Sequence, residues 1–197
     1  MKPILFNTEM VQEILAGTKT VTRRVVAQKH LRVLESDYRK EHPEVPEKQL
    51  IEKLCKPPFE AGDVLYVRET WATTTNGQDY LYRADADGNA VKDRSGNWHV
   101  PKWRPSLHMP QVAARIYLRV TSVHVERLQE IGAEGFFAEG MASGAAFCGD
   151  TEIAAQEFAT LWNSTIKPTN LGLHGWACNP WVWVIEFERC ARPRCDK

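Results

Sequence analysis

The sequence has no excess of charge of either sign, with 25 lysines and arginines against 25 aspartates and glutamates among 197 residues. Proteins that coat long nucleic acids normally carry a clear positive excess. We therefore expect any nucleic-acid contact to be local, to one nucleotide or a short single strand.

The chain also lacks any run that approaches the roughly 18 apolar residues of a membrane-spanning helix. Its first residues lack the apolar stretch of a secretory signal. These two features predict a cytoplasmic protein with no membrane partner, and the sequence leaves its protein partners open.

Paired cysteines are lacking as well, because the five cysteines are odd in number and widely scattered. This usage favours free thiols in a reducing compartment. His174, Cys178, Cys190 and Cys195 are the residues from which a zinc site would be built, but their spacing matches no strong metal pattern. We predict no metal and no cofactor.

Short β-like runs and amphipathic helices together predict an α+β fold. Asn7 or Thr8 is suited to cap a first helix and Gly17 to end it, and the longest β-like run covers residues 112–127. Because the helices are inserted rather than alternating regularly with strands, the pattern favours a small, mostly antiparallel β-barrel with inserted and flanking helices.

Two segments interrupt this pattern. Residues 27–60 are charged and punctuated by prolines and are interpreted as a helical insertion, and residues 85–105 contain a Gly/Asp/Asn-rich loop insertion. Residues 191–197 are expected to be a flexible tail. Residues 1–190, which include both insertions, are predicted to form a single domain.

The segment 15–24, which reads LAGTKTVTRR, carries the densest chemistry in the chain. Lysine beside hydroxyl groups is able to do nucleophilic or acid–base work, and paired arginines bind phosphate. The plain alternative is a surface lysine, Lys19, followed by a sheet threonine, Thr22.

Three stretches together resemble the ASCH (activating-signal-cointegrator homology) family, whose fold is a PUA-like β-barrel. They are the Gly-x-Lys-Thr-x-Thr signature within residues 14–22, the Gly-Asp turn and strand of 61–67, and the closing strand of 183–187. The chain is most similar to the larger phage and prophage members, which share stretches like 68–71 and 179–181.

This resemblance implies a role with RNA or modified nucleobases, and with it a nucleoside or a short single-stranded RNA as the expected partner. One bacterial branch of the family hydrolyses the amide of N4-acetylcytidine with a lysine, a threonine and a glutamate. Carried onto this sequence, these residues are Lys19, Thr22 and Glu139. The chain is about twice the length of those compact enzymes and carries Arg23 and Arg24 where they have other residues.

Amide hydrolysis at an exocyclic nitrogen requires a nucleophile, stabilisation of an oxyanion and protonation of the leaving nitrogen. Thr22, or a water that it orients, is the candidate nucleophile, Lys19 the base or the oxyanion partner, and Glu139 the proton shuttle. In a regular strand Lys19 and Thr22 point to opposite faces. The mechanism therefore predicts that Lys19 lies in a turn after Gly17, before the strand begins.

Further residues are candidates for substrate binding, each with a plainer structural alternative. Arg23 and Arg24 suit a phosphate or a salt bridge, and alternation predicts that at most one reaches Lys19. One of Arg68 and Glu69 is expected to face inward, and Glu69, if buried, needs a cationic partner such as Arg23, Arg24 or Lys19. The other candidates, for base stacking, phosphate contact or pocket walls, are Trp71, Tyr82, Arg83, Trp103, Ser106 and His108.

Three functions remain open from the sequence. The first is an amidohydrolase that acts on an N4-acylated cytosine nucleoside. The second is a single-strand ribonuclease that uses Lys19 with a hydroxyl such as Ser106 or Tyr66. The third is a non-catalytic reader of RNA or modified nucleic acid.

Overall fold

In a computed structural model of the protein, the described residues are 1–74, 77, 79–141 and 151–193. The chain divides into two compact units that alternate along the sequence. The first unit contains Met1–Gly17, Gly62–Arg119 and the segment that begins at Glu188, and the second contains Thr18–Ala61 and Val120–Phe187. The single domain, its insertions and its tail remain predictions, and residues 194–197 of that tail lie outside the described range.

The strands of the described chain are mostly short. They are β1 (Lys2–Leu5), β2 (Val21–Val25), β3 (Val64–Arg68), β4 (Trp71–Thr73), β5 (Tyr80–Tyr82), β6 (Val91–Lys92), β7 (Trp98–His99), β8 (Tyr117–Arg127) and β9 (Trp181–Cys190).

The α-helices are short except for the sixth. They are α1 (Thr8–Ala16), α2 (Gln28–Leu31), α3 (Asp37–Glu41), α4 (Glu47–Leu54), α5 (Ala133–Ala138), α6 (Thr151–Thr165) and α7 (Leu171–His174). Single turns of 3₁₀ helix cover Arg32–Glu35, Arg83–Asp85, Ser106–His108, Gln111–Ala113, Leu128–Glu130, Pro168–Asn170 and Trp176–Cys178.

Five strands form one sheet in the order β1-β3-β8-β9-β2, and β8 and β9 each contribute residues to both units. In the first unit β1 pairs with β3 in parallel and β3 pairs with β8 antiparallel. In the second unit β2 pairs with β9 antiparallel. Two antiparallel hairpins, β4–β5 and β6–β7, complete the first unit.

The α+β class is confirmed, but the closed barrel is not. In the described part of the chain β1 and β2 are the edges of an open sheet, and neither pairs with the other. Closure of a barrel requires its last strand to pair with its first. Here the edge strands have four and five residues, and the ladder of β1 with β3 is parallel, whereas those of β3 with β8 and of β2 with β9 are antiparallel.

Helix α1 follows the sequence rules closely. The Asn7 side chain accepts a hydrogen bond from the Met10 amide at 2.8 Å and caps the first turn. Gly17 ends the helix in the left-handed conformation at φ 85°, which a residue with a Cβ adopts only at a cost. This end places the residues that follow in a turn before β2.

The long run of residues 112–127 is strand only from Tyr117 onward. The structure shows Gln111–Ala113 as a 3₁₀ turn, in which the Ala113 amide donates to the Pro110 carbonyl at 3.0 Å. Apolar alternation does not distinguish a turn from an extended strand when prolines precede it.

Each unit has its own hydrophobic contacts. In the second unit the helices α5 and α6 pack on β9 through a cluster made of Leu128, Ile131, Phe136, Ala154, Phe158, Trp162, Val182 and Val184. In the first unit a cluster is made of Tyr66, Trp71, Tyr82, Met109, Ala113, Ala114 and Tyr117. No helix of the described chain is long and apolar enough to cross a membrane.

Candidate functional site

Lys19 lies in the turn between α1 and β2, as the sequence predicts, rather than inside a strand. It forms an isolated antiparallel bridge with Glu139, and the adjacent Thr20 amide donates to the Ala138 carbonyl at 2.8 Å. Glu139 immediately follows α5 as its C-cap residue. Two segments 120 residues apart in the chain are therefore joined backbone to backbone at this point.

The side chains of Lys19 and Glu139 are joined as well. Lys19 Nζ donates to the Glu139 carboxylate oxygen Oε2 at 2.5 Å and to its backbone carbonyl at 2.8 Å. Only 1% of the lysine side chain and 6% of the glutamate side chain are exposed. An amine and an acid predicted from the sequence thus meet in a site with little access to water.

Arg23 extends this pair into a larger buried group. Its Nη1 donates to Glu139 Oε1 at 3.1 Å, and its Nε donates to Glu126 Oε1 at 2.8 Å. We refer to Lys19, Arg23, Glu126 and Glu139 as the Lys19 network. Gly135 leaves room for it, because a Cβ there would lie 3.1 Å from Arg23 Nη2.

Burial lowers the pKa of Lys19 below its ordinary value, even though the charge and hydrogen bond of Glu139 oppose the shift. The positive charges of Arg24 and Arg23 lower it further. Burial also raises the pKa of Glu126, but hydrogen bonds from His124 and Arg23 outweigh it, so that this pKa is lowered. The neutral form of Lys19 and the ionised form of Glu126 are therefore both more favoured in the network than they are in water.

Thr22 and Arg24 are the residues on either side of Arg23 in β2. Thr22 is 3% exposed and pairs with Ile185, and Arg24 is half-buried and pairs with Trp183. No hydrogen bond joins the Thr22 hydroxyl to Lys19 or Glu139 among the described residues. Burial lowers the pKa of Arg24, and the negative charge of Glu139 partly opposes this shift. Arg24 therefore interacts electrostatically with Glu139, although the hydrogen bond to the Glu139 carboxylate described above comes from Arg23.

Glu69 belongs to a second polar cluster, in the first unit. Its carboxylate is 1% exposed and accepts from Arg115 Nε at 2.9 Å and from Arg115 Nη2 at 3.0 Å. Arg115 also donates to both oxygens of Asp85, at 2.6 and 3.0 Å. Arg115 is therefore the partner that the sequence required but did not identify, in place of Arg23, Arg24 or Lys19.

Tyr82 packs against the same guanidinium. Arg115 lies 3.9 Å from the centre of its ring, and its hydroxyl donates to the Ala113 carbonyl at 2.7 Å. Burial raises the pKa of Tyr82 to about 12. Burial likewise raises the pKa of Glu69, although Arg115 opposes the shift. This cluster is ion-paired, hydrogen-bonded and packed.

Of the two remaining aromatic candidates, Trp71 and Trp103, only Trp103 lines a groove of the first unit. The cavity has a volume of about 610 Å³ and is lined by Thr73, Thr74, Lys102, Trp103, Arg104 and Pro105. We refer to it as the Lys102 groove. Arg83 packs over the Trp103 ring at 5.5 Å, and Arg104 packs over the Trp71 ring at 5.0 Å.

Ser106 and His108 follow this groove in a single 3₁₀ turn. Ser106 is half-buried and its carbonyl accepts from the Met109 amide at 3.0 Å, whereas His108 is exposed. Tyr66 is 6% exposed, and its hydroxyl accepts from Arg68 Nη2 at 3.1 Å. These three residues belong to the first unit, whereas the Lys19 network belongs to the second.

The cysteines make no metal cluster among the described residues, which contain no group of three or more His, Cys, Asp and Glu side chains fit to hold an ion. Cys178 and Cys190 are free thiols, and Cys178 Sγ donates to the Gly172 carbonyl at 3.2 Å. Cys195 lies outside the described range.

Sequence reasoning did not identify Arg115, Glu126 and Arg104 as parts of these clusters. Arg115 follows a 3₁₀ turn and precedes β8, where alternation gives no face. Glu126 lies in β8 among other charged residues, and only its position opposite Arg23 distinguishes it. Arg104 was detectable from the sequence as a candidate pocket residue, because it directly follows Trp103 in a proline-bounded loop.

Comparison with family models gives no match, and comparison with curated proteins gives none either. Two solved structures are similar. One is an ASCH domain from Lactobacillus crispatus JV V101, with 11% identity, a TM-score of 0.35, and coverage of 89% of this chain and 67% of that one. The other is a protein of Enterococcus faecalis V583 with the family model DUF984, with 12% identity, a TM-score of 0.35, and coverage of 96% and 80%. At these values the matches assign neither family nor activity.

Proposed function

We propose that the protein is an amidohydrolase that removes an acyl group from the exocyclic nitrogen of an N4-acylated cytosine nucleoside. The observation that supports it is the buried contact between Lys19 Nζ and Glu139 Oε2, with the pKa of the amine lowered. The substrate class comes from the resemblance of the sequence to the ASCH family.

The Lys19–Glu139 pair suits a reaction in which one proton enters and another leaves. In its neutral form the pair is an amine beside a carboxylic acid. Water adds to the acyl carbon and gives a proton to Lys19 Nζ, while the Glu139 carboxyl protonates the leaving nitrogen as its bond to the acyl carbon breaks. Transfer of one proton along the 2.5 Å contact then restores both groups.

Two cations stabilise the charges that develop in this step. Lys19 becomes an ammonium as the water adds, which places a positive charge beside the oxyanion in a site that excludes water. Arg23 donates to Glu139 Oε1 and stabilises the carboxylate that remains after the proton has left. The lowered pKa of Lys19 raises the fraction of neutral amine with which the cycle begins.

The test is to incubate the protein with N4-acetylcytidine and measure cytidine and acetate. Lys19→Met and Glu139→Gln should each reduce the rate by about 10²–10⁴-fold, the usual contribution of general acid–base catalysis. Lys40→Met and Glu188→Gln, at exposed positions of the same residue types, are matched controls and should retain the wild-type rate. Release of no cytidine by wild type between pH 6 and 10 would contradict the proposal.

Lys19→Arg separates a base from a fixed charge. Arginine remains protonated in proteins, so this variant keeps the cation and loses the base. We expect it to be as inactive as Lys19→Met, with a folded circular-dichroism spectrum. Activity close to wild type would assign Lys19 an electrostatic role only.

Thr22 is the alternative nucleophile, and it is tested separately. If water attacks directly, Thr22→Val still turns over substrate and wild type accumulates no acetylated protein. Mass spectrometry of the quenched reaction measures this. An adduct of one acetyl group on Thr22 would show that its hydroxyl attacks first.

A further inference from the structure

Glu126 is a largely buried carboxylate of the Lys19 network that the mechanism described above does not use. It lies in β8, and its side chain is 15% exposed. Its Oε1 accepts from Arg23 Nε at 2.8 Å, and its Oε2 lies 3.7 Å from Nε2 of His124. His124 precedes it by two residues, on the same face of the strand, and is more exposed to water. Glu126 thus lies between the buried guanidinium of Arg23 and an imidazole at the surface.

Arg23 bridges two carboxylates from inside the network. Its Nη1 donates to Glu139 Oε1 at 3.1 Å while its Nε donates to Glu126, and only 5% of its side chain is exposed. A guanidinium remains protonated in proteins, and a charge that water does not solvate needs a counter-ion. When one of the two carboxylates is protonated, the other must therefore stay ionised.

The acid role of Glu139 makes this second carboxylate necessary. While Glu139 holds a proton and Lys19 is a neutral amine, Arg23 is without the negative charge of Glu139. An ionised Glu126 then pairs with Arg23, and the network carries no net charge. The contacts of Glu126 favour this form, because burial alone would raise its pKa but hydrogen bonds from His124 and Arg23 lower it overall.

We infer that Glu126 is a positioning residue, which acts as the permanent counter-ion of Arg23 and thereby allows Glu139 to hold a proton and serve as the acid. This inference rests on the proposed hydrolase function and deepens it. Glu126 acts through Arg23 and has no part in the bonds that form or break.

The charge of Glu126 has a consequence for the pH dependence of the reaction. The titratable and charged groups of the network and its neighbours are Lys19 in the turn, Arg23 and Arg24 in β2, His124 and Glu126 in β8, and Glu139 at the end of α5. Without the Glu126 charge, the positive potential at the Lys19–Glu139 pair rises. Both groups of the pair should then release protons at lower pH, and transfer of a proton from Lys19 to Glu139, which Arg23 contacts, becomes less favourable.

Glu126→Gln is the test, because the amide keeps an oxygen that accepts from Arg23 Nε and loses only the charge. With N4-acetylcytidine, kcat should fall about tenfold, the effect of one unit in the pKa of an acid. KM should be unchanged, and both limbs of the pH profile of kcat should move to lower pH. Glu47→Gln is the matched control, since Glu47 also pairs with an arginine, Arg127, at 3.1 Å and lies outside the network. It should retain the wild-type kcat and profile.

A second measurement needs no substrate. The titration of Lys19 Nζ is followed by ¹⁵N NMR, with Lys19→Met to identify the signal. Glu126→Gln should titrate at lower pH than wild type and Arg23→Gln at higher pH. The double variant Arg23→Gln/Glu126→Gln removes one charge of each sign and should titrate close to wild type. Glu126→Asp keeps the charge and should be closer to wild type than Glu126→Gln in both measurements.

Three results would overturn the inference. The first is a wild-type kcat, pH profile and Lys19 titration in Glu126→Gln. The second is a lower kcat with an unchanged profile and titration, which would make Glu126 a structural residue only. The third is a rise in KM in place of a fall in kcat, which would place Glu126 against the substrate. If wild type itself releases no cytidine, the hydrolase proposal fails, and the NMR titrations still decide whether Glu126 balances the charge of Arg23.

Discussion

The Lys19 network of the second unit and the Lys102 groove of the first unit treat positive charge in opposite ways. In the Lys19 network of the second unit, Lys19 and Arg23 are buried and each is bonded to a carboxylate. In the Lys102 groove of the first unit, Lys102 and Arg104 are exposed and have no carboxylate within salt-bridge distance among the described residues. Buried charges must be paired because water does not solvate them, whereas exposed cations remain available to a partner.

This difference separates a site suited to proton transfer from one suited to binding. Burial has shifted the pKa of Lys19, and such a shift is common where a group does acid–base chemistry. In the groove, Arg104 packs over the indole ring of Trp71 and has no acidic partner among the described residues. The comparison therefore predicts large effects on folding from the network and small ones from the groove.

The largest expected effect on folding is that of Glu139→Ala. Removal of this carboxylate leaves the ammonium of Lys19 buried without its acidic partner, which typically costs about 3–5 kcal/mol. Urea unfolding measures the change. The exposed Glu188, 3.8 Å from Arg119, is the control, and Glu188→Ala should change the free energy of unfolding far less, as surface pairs do. Equal losses in the two variants would remove the distinction between the units.

Gly135→Ala tests the space on which the network depends. The added Cβ would lie 2.8 Å from Ile131 Cγ1 and 3.1 Å from Arg23 Nη2, so Ile131 and Arg23 must both shift. Overpacking of this kind costs about 1–3 kcal/mol, and we expect hydrolase activity to fall with it. Gly172→Ala, which meets nothing within 4 Å, should be neutral or slightly stabilising. An unchanged free energy of unfolding for Gly135→Ala would show that the space around Arg23 accommodates the added Cβ.

Dependence of stability on pH gives the next effect. Because the pKa of Lys19 is lowered from 10.5, the unfolded chain binds more protons than the folded chain between the two values, and the free energy of unfolding rises with pH in that window. The slope from one group is at most about 1.4 kcal/mol per pH unit. Lys19→Met should remove this rise in urea unfolding between pH 8 and 10.5. Lys40→Met should keep it, and identical slopes in all three proteins would contradict the shift.

Much of the local structure that positions Lys19 follows from the sequence. Asn7 and Gly17 cap α1 as their residue types predict, and the requirement that Lys19 precede the strand is met. These features depend on neighbours within a few residues, where propensity and capping are strong guides.

Contacts between distant segments did not follow from the sequence. Glu139 was identified only through the family resemblance, because its meeting with Lys19 depends on where α5 packs. The partner of Glu69, Arg115, lies 46 residues away in a loop, where periodicity predicts no orientation. The open sheet was missed for the same reason, since strand patterns show faces but not which edges meet.

The smallest expected change in the free energy of unfolding is that of a variant in the Lys102 groove. Lys102→Ala/Arg104→Ala removes two exposed cations that have no acidic partner, so the free energy of unfolding should stay within about 0.5 kcal/mol of wild type. Any change should be a gain at low salt, because like charges repel, and should disappear near 1 M salt, where the screening length is about 3 Å. Urea unfolding at both salt concentrations measures it. A loss of several kcal/mol would mean that these cations stabilise the fold, and the groove would then have no charge left over for a ligand.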